Sequence, residues 1–95
     1  MQTPVVIIPA LTPDNNLVSL VGRLREEGLS IIVVDDGSGS EYAEIFQRVE
    51  KTGCVVVHHS QNLGKGMAIK TGIREGMHST RRTVAAAARG PSRSR

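Results

Sequence analysis

Three short runs of β-branched residues, each followed by a helical pattern, constrain the fold of this chain more than any other feature. The runs cover residues 5–8, 31–34 and 55–57; they carry no charge and are bounded by Pro, Gly or Asp. Such runs are typical of parallel strands that are buried on both faces. Strands that alternate with helices predict a parallel sheet covered by helices. We therefore predict an α/β fold of three layers, with three parallel strands and three helices.

Two of the helices are indicated by apolar residues at helical spacing. In the first, leucine and valine recur at i, i+3, i+4 and i+7 over residues 17–24, with a start signal at residues 12–13 and a stop at Gly28. In the second, the apolar positions fall within residues 42–49, and Ser38 and Glu41 before them have the spacing of a capping box. These patterns predict two amphipathic helices.

A third helix is predicted for about residues 65–74, with Ile69 and Ile73 facing the sheet. Beyond it the composition changes to Arg, Ala, Ser, Gly and Pro with little apolar periodicity. We predict a folded domain over residues 1–76 and a disordered, low-complexity basic tail over residues 77–95, in which only a short alanine-rich turn of helix could form.

The positive charge of the chain lies in that tail. The whole chain has a formal net charge of +3; residues 1–76 hold seven Lys or Arg and nine Asp or Glu, net −2, whereas residues 77–95 hold five Arg and no acid, net +5. Binding of nucleic acid or anionic lipid would depend on the tail alone, and a disordered end explains it better. We expect no specific nucleic-acid partner.

The single cysteine, Cys54, excludes an internal disulfide and a cysteine metal site. No run reaches the roughly 20 apolar residues of a membrane span, and the N-terminus lacks the pattern of a signal peptide. We expect a protein of the cytoplasm or of the cytoplasmic face of a membrane, without a transmembrane segment.

Ligands of parallel α/β sheets bind at the carboxyl ends of the strands, so the residues after each run are the candidate site. After the first run come Pro9, Ala10 and Leu11, where proline fixes the backbone and leaves polar main-chain groups free. A plain turn from strand to helix explains this segment equally well.

After the second run come Asp35, Asp36, Gly37 and Ser38. Carboxylates at this place can accept hydrogen bonds from a ribose hydroxyl or a base N–H, or help to hold a cation. In the alternative interpretation, Asp35 and Ser38 are turn and cap residues. A cap needs only one acid, so the pair favours binding.

A glycine-rich turn with Lys65 and Gly66 follows the third run, and such a turn lets a backbone approach an anion at a helix N-terminus. It matches neither the phosphate loop of nucleotide triphosphatases nor the dinucleotide fingerprint. His58 and His59 precede it; neighbouring residues of a strand point to opposite faces, and we interpret both as structural or solvated.

Together the three segments resemble family 2 glycosyltransferases, the group that includes the dolichyl-phosphate mannose synthases. The matching residues are 5–11, then 32–38 reading Ile-Val-Val-Asp-Asp-Gly-Ser, then 62–68 reading Asn-Leu-Gly-Lys-Gly-Met-Ala. The resemblance covers about residues 4–76. It implies the Rossmann-like N-terminal part of a GT-A fold.

The resemblance also implies a site for a nucleotide-diphosphate sugar, whose sugar would be transferred to a lipid-phosphate or saccharide acceptor. The Pro-Ala segment at residues 9–11 and Asp36 would contact the nucleoside, and Lys65 would lie on the nucleotide side of the pocket. The family commonly has an acid near residue 13, and Asp14 is the displaced equivalent. Complete enzymes of the family are expected to use Mg²⁺ or Mn²⁺.

The chain departs from the family after Met77. The family's fourth strand, which ends in an Asp-x-Asp metal motif, and the region that binds the acceptor are not recognised in the sequence. We therefore expect a fragment, truncated or frameshifted, that is incomplete for catalysis, has no assigned catalytic residue and binds no metal by itself. The alternative is a noncatalytic remnant with at most weak nucleotide binding. We also expect self-association through the sheet edge beside the missing strand.

Overall fold

The computed structural model describes residues 5–77, 83–85 and 88–89, the last two segments through their backbone. None of the three helices described is long and apolar enough to cross a membrane. Along the chain the elements are β1 (Val5–Leu11), α1 (Asn15–Glu26), β2 (Ser30–Asp35), a 3₁₀ turn (Ser40–Tyr42), α2 (Ala43–Lys51), β3 (Val55–His58), α3 (Lys65–Gly76), β4 (Thr83–Ala85) and β5 (Ala88–Arg89).

The predicted three-layer α/β architecture is confirmed. β1, β2 and β3 pair in parallel within one sheet. Alternate residues of β1 enter two different cores: Val6 and Ile8 pack with α1 and α2 on one face, whereas Val5 and Ile7 pack with Ala68 of α3 on the other. This alternation follows from the period of two residues in a strand, and it explains why the strands are apolar throughout.

The segment predicted to be a disordered tail contributes two further strands, and this is a difference from the sequence-based prediction. The sheet order is β3-β2-β1-β4, and β5 also pairs with β1 in parallel. Both strands keep the same register on β1, since 83 − 5 and 88 − 10 both equal 78. Without them β1 would present a row of unpaired backbone groups, and pairing satisfies those groups.

A fourth strand is therefore present where we expected an open edge. The expectation of self-association through the edge beside β1 loses its premise, because β4 and β5 lie there. Among the described strands, β3 is the outer strand on the opposite side, and Val55 is 48% exposed. The prediction that residues 55–57 form a central, fully buried strand is wrong, since only one neighbouring strand and partial helix cover protect them.

Two helix starts differ from the predicted ones. α1 begins at Asn15, and the side chain of Asp14 caps it by accepting a hydrogen bond from the Asn16 N–H at 3.0 Å. α2 follows the 3₁₀ turn directly and has no side-chain cap. The predicted capping box of Ser38 and Glu41 is wrong, because Ser38 instead bonds to the loop after β1, at a distance of 2.8 Å.

α3 faces the sheet with small residues. Ala68, Gly72 and Gly76 are its buried positions. A methyl group on Gly72 would overlap Cγ2 of Ile7, so the glycine allows the helix axis to lie close to β1. The prediction that Ile73 faces the sheet is wrong: its side chain is 39% exposed.

The corner where α1, β2 and α2 meet is held by buried polar contacts. Arg25 donates from Nε to the Thr52 carbonyl at 3.2 Å and from Nη1 to the Leu29 carbonyl at 3.0 Å. Nearby, the Cys54 thiol is buried and donates to the Val49 carbonyl at 3.2 Å. Desolvation by burial raises the pKa of Cys54 above its model value of 9.0, so the group is a neutral thiol at physiological pH.

Candidate functional site

The candidate site lies at the carboxyl ends of β1, β2 and β3. The three residues predicted to form a loop after the first strand belong to β1 itself, which continues to Leu11. Pro9 and Ala10 are buried, and the Ala10 carbonyl accepts the N–H of Asp36 at 2.9 Å. Regular pairing with β2 extends the strand beyond the proline, because only one side of β1 needs the missing donor.

Ser38 joins the end of β1 to the end of β2. Its hydroxyl oxygen accepts the N–H of Thr12 at 2.8 Å, and its own N–H donates to Oδ1 of Asp35 at 2.9 Å. Thr12 has a φ of 45°, an unusual value for a residue with a branched side chain. The two loops are thus connected by hydrogen bonds, and the turn that Asp35 and Ser38 were expected to form is confirmed.

Asp35 pairs with His58 on the face covered by α2. Nδ1 of His58 lies 2.7 Å from Oδ2 of Asp35, and the imidazole makes an edge contact with the ring of Phe46. The side chain of Asp35 is 8% exposed, whereas that of His58 is 53% exposed. These residues border a cavity of about 260 Å³, which is lined by Asp35, Gly37, Gly39, Ser40, Ala43, Phe46, His58, His59 and Ser60.

Asp36 points to the opposite face and organises the glycine-lysine loop, which we define as residues 61–66. Its Oδ1 accepts the Leu63 N–H and its Oδ2 accepts the Gly64 N–H, both at 2.9 Å. Nδ1 of His59 lies 2.9 Å from the same Oδ1, and Nε2 of His59 lies 2.8 Å from the Thr71 hydroxyl. The carboxylate therefore connects β2, β3 and the loop before α3.

Gly37 lets the loop after β2 touch the glycine-lysine loop. Its φ is +78°, and a Cβ atom at this position would overlap the backbone of Gln61 and Asn62. Only a residue without a side chain combines this conformation with so close an approach. The Asp-Asp-Gly-Ser sequence thus supplies two carboxylate anchors, one backbone contact and one hydroxyl link.

Lys65 and Gly66 open α3 and are exposed. Within the part of the chain that the structure describes, Lys65 has no ion-pair partner. The first N–H groups of a helix lack partners inside the helix, and the helix dipole favours anions there. This end of the site can bind a negatively charged group through backbone amides and one ammonium group.

Asp14, the remaining predicted site residue, is occupied as the cap of α1. Its two carboxylate oxygens accept from the backbone and the side chain of Asn16 at 3.0 and 3.3 Å. No described contact joins Asp14 to Asp36 or to the glycine-lysine loop. Its assignment to a nucleotide site stays a prediction.

The carboxylates of the site do not fit a divalent cation. Each already accepts hydrogen bonds from N–H donors, and each pairs with a histidine. No third acid joins them: across residues 5–77, 83–85 and 88–89 no group of three His, Cys, Asp or Glu side chains could hold a metal ion. The chain contains no aspartate after Asp36. We assign no step to a metal here.

Sequence reasoning missed the partners of the two aspartates. His58 and His59 were interpreted as structural or solvated, and each proves to bond one aspartate on its own face of the sheet. The prediction that they point to opposite faces is confirmed. A signal existed: two neighbouring acids end one strand and two neighbouring histidines end the next, which in parallel pairing brings them side by side.

Comparisons with known proteins give a consistent result. The model of glycosyl transferase family 2 matches residues 5–88, a range that includes β4 and therefore extends past the expected limit at residue 76. Uncharacterized protein MJ1222 of Methanocaldococcus jannaschii is 37% identical over 70 residues, covering 73% of this chain and 28% of that protein. Uncharacterized protein MJ0544 of the same organism is 30% identical over 73 residues, covering 74% of this chain and 32% of that protein. The chain thus spans about a third of these relatives' length or less. No solved structure matches it.

Proposed function

Because the chain belongs to glycosyl transferase family 2, we propose that the carboxyl ends of its strands bind a nucleotide-diphosphate sugar. The observation that carries this proposal is the attachment of the glycine-lysine loop to Asp36 through the Leu63 and Gly64 amides. It brings an acid suited to a nucleoside and a helix N-terminus suited to a diphosphate into one contiguous surface.

In this proposal the nucleoside lies near the Pro9–Leu11 end of β1 and Asp36. Asp36 has about four lone-pair positions, of which three are used by Leu63, Gly64 and His59. The fourth, on Oδ2, can accept one N–H or O–H of the ligand. The diphosphate lies at the start of α3, where Lys65 neutralises charge and the free amides donate.

We further propose that a complete enzyme containing this domain transfers the sugar to a lipid-phosphate or saccharide acceptor. Departure of a nucleoside diphosphate needs strong stabilisation of negative charge, which a divalent cation supplies in many phosphoryl and glycosyl transfers. The described carboxylates do not provide a cation site, and residues 77–95 contain no acid. The 95-residue chain by itself should therefore show negligible transfer.

A titration of the purified chain tests the proposal. UDP, GDP and their sugar conjugates are added with and without Mg²⁺ or Mn²⁺, and the amide resonances are followed. We expect shifts at Asp36 and Lys65 that saturate and that identify the preferred base. A folded chain whose resonances do not move with any of these ligands would refute donor binding.

A matched pair of lysine variants locates the diphosphate. Lys65 and Lys70 are both exposed residues of α3, but Lys70 lies in the middle of the helix. Lys65→Ala should weaken nucleotide binding by about 1 kcal/mol, or about fivefold, because one exposed charge-assisted contact is lost. Lys70→Ala should leave the affinity unchanged. Equal effects of the two substitutions would place the diphosphate elsewhere.

The second candidate function is nucleotide binding without transfer, and the engaged state of both carboxylates favours it. Here the chain is a noncatalytic binding module whose affinity does not depend on a metal ion. The same titration separates the two functions: equal affinity with and without Mg²⁺ or Mn²⁺, together with no turnover of the sugar conjugate, supports the module.

A further inference from the structure

His59 is a buried imidazole with both ring nitrogens engaged. Its side chain is 9% exposed, close to the 6% of Asp36. An ionised carboxylate can only accept, so Nδ1 of His59 carries a proton and donates it to Asp36. In the neutral ring Nε2 is then an acceptor for the hydroxyl proton of Thr71. The ring thus connects the end of β2, through the end of β3, to the middle of α3.

We propose that His59 is a positioning residue of the donor site, acting through Asp36. By holding the Asp36 carboxylate from the side of α3, it keeps both oxygens aligned with the Leu63 and Gly64 amides and so sets the course of the loop that leads into Lys65. This inference rests on the proposed binding of a nucleotide-diphosphate sugar, and its chemical target is the diphosphate-bearing nucleotide itself.

The neighbouring histidine provides an internal contrast. His58 makes the same type of bond, 2.7 Å long, but to Asp35 and on the α2 side. Asp35 accepts its backbone bond from Ser38, not from the glycine-lysine loop. Removal of the His58 ring should therefore leave the loop amides unchanged, whereas removal of the His59 ring should release them.

The experiment compares three variants by hydrogen exchange of the Leu63 and Gly64 amides and by affinity for UDP and GDP. In His59→Ala both amides should exchange about tenfold faster and affinity should fall about tenfold, as expected when one charge-assisted bond is lost. In His59→Asn, whose side-chain amide can donate to Asp36, most of the protection and affinity should return. In His58→Ala the exchange of both loop amides should match the wild type.

Two further measurements keep the inference testable where a variant fails to fold. The ¹⁵N shifts of the His59 ring in the unmodified chain should show the proton on Nδ1 in the neutral form. Thr71→Val, which keeps the volume of the side chain but removes the hydroxyl, should accelerate exchange of the two loop amides about threefold.

The inference is overturned by unchanged exchange of the loop amides in a folded His59→Ala, by loss that His59→Asn does not rescue, or by a neutral ring protonated on Nε2. Absence of nucleotide binding in the wild type is a separate result. It would refute the proposed function, while the exchange rates and ring shifts would still decide whether His59 positions the loop.

Discussion

Gly37→Ala should separate the two loops that meet at the candidate site. The substitution adds one methyl group at a residue with φ of +78°, where it would overlap the backbone of Gln61 and Asn62. Backbone atoms cannot turn aside as the end of a flexible side chain can. The glycine-lysine loop must therefore move, or the turn that follows Asp36 must change its conformation.

The cost of this substitution has two parts. A positive φ disfavours alanine by about 1–2 kcal/mol, and overlap in a packed region adds about 1–3 kcal/mol. The sum is about 2–5 kcal/mol for Gly37→Ala. Gly28 has a similar φ of +84° but nothing within 4 Å of its hypothetical Cβ, so Gly28→Ala should cost only the first part. The difference between the two variants isolates the contact between the loops.

Urea unfolding followed by circular dichroism measures both costs. With a slope of about 1 kcal/mol per molar urea for a chain of this size, the midpoint of Gly37→Ala should lie about 1–3 M below that of Gly28→Ala. The amide resonances of Leu63 and Gly64 should shift in the first variant alone. Equal midpoints for the two variants, with unmoved resonances, would show that the loops do not depend on Gly37.

Three further predictions concern the framework of the domain. Gly72→Ala should destabilise by about 1–2 kcal/mol, since overlap with Ile7 outweighs the better helix propensity of alanine, whereas Gly22→Ala in open space should stabilise by up to about 1 kcal/mol; thermal melts of the pair decide this. Arg25→Ala should cost about 1–3 kcal/mol in urea unfolding because it removes the donor from two carbonyls, and a change within error would contradict the clamp. The pKa of Cys54 is raised by burial, so its contribution to stability is full below the unfolded pKa of about 8.5 and is lost as the pH rises towards the folded value; Cys54→Ala should flatten that alkaline decline, and an unaltered pH profile would refute the assignment.

The layer architecture could be predicted from the sequence because its signals are local. The β-branched run at residues 31–34 and the leucine stripe at residues 17–24 each specify an element by their own periodicity. The faces of α3 were harder to predict. Isoleucine outranks alanine and glycine in apolar area, yet Ala68 and Gly72 face the sheet, because the close approach to Ile7 leaves no room for larger side chains.

The parts that could not be predicted depend on strand register. His58 and Asp35 are 23 residues apart, and only the pairing of β2 with β3 brings their side chains together. The strands at residues 83–85 and 88–89 depend on register still more, since their alanine-rich sequence has little strand preference of its own. An unpaired edge of β1 decides their conformation, and no local pattern reports that edge.

The constant offset of 78 residues between β1 and its outer neighbours has a consequence for synthesis of the chain on the ribosome. β1 is among the first segments made, whereas the strands that cover its outer edge are among the last. Contacts between residues so far apart in sequence form slowly, because a long loop must close before any bond is gained. One side of the first strand therefore stays open during most of translation, and a nascent chain is most exposed to wrong pairing at the position that the final residues of the sheet will cover.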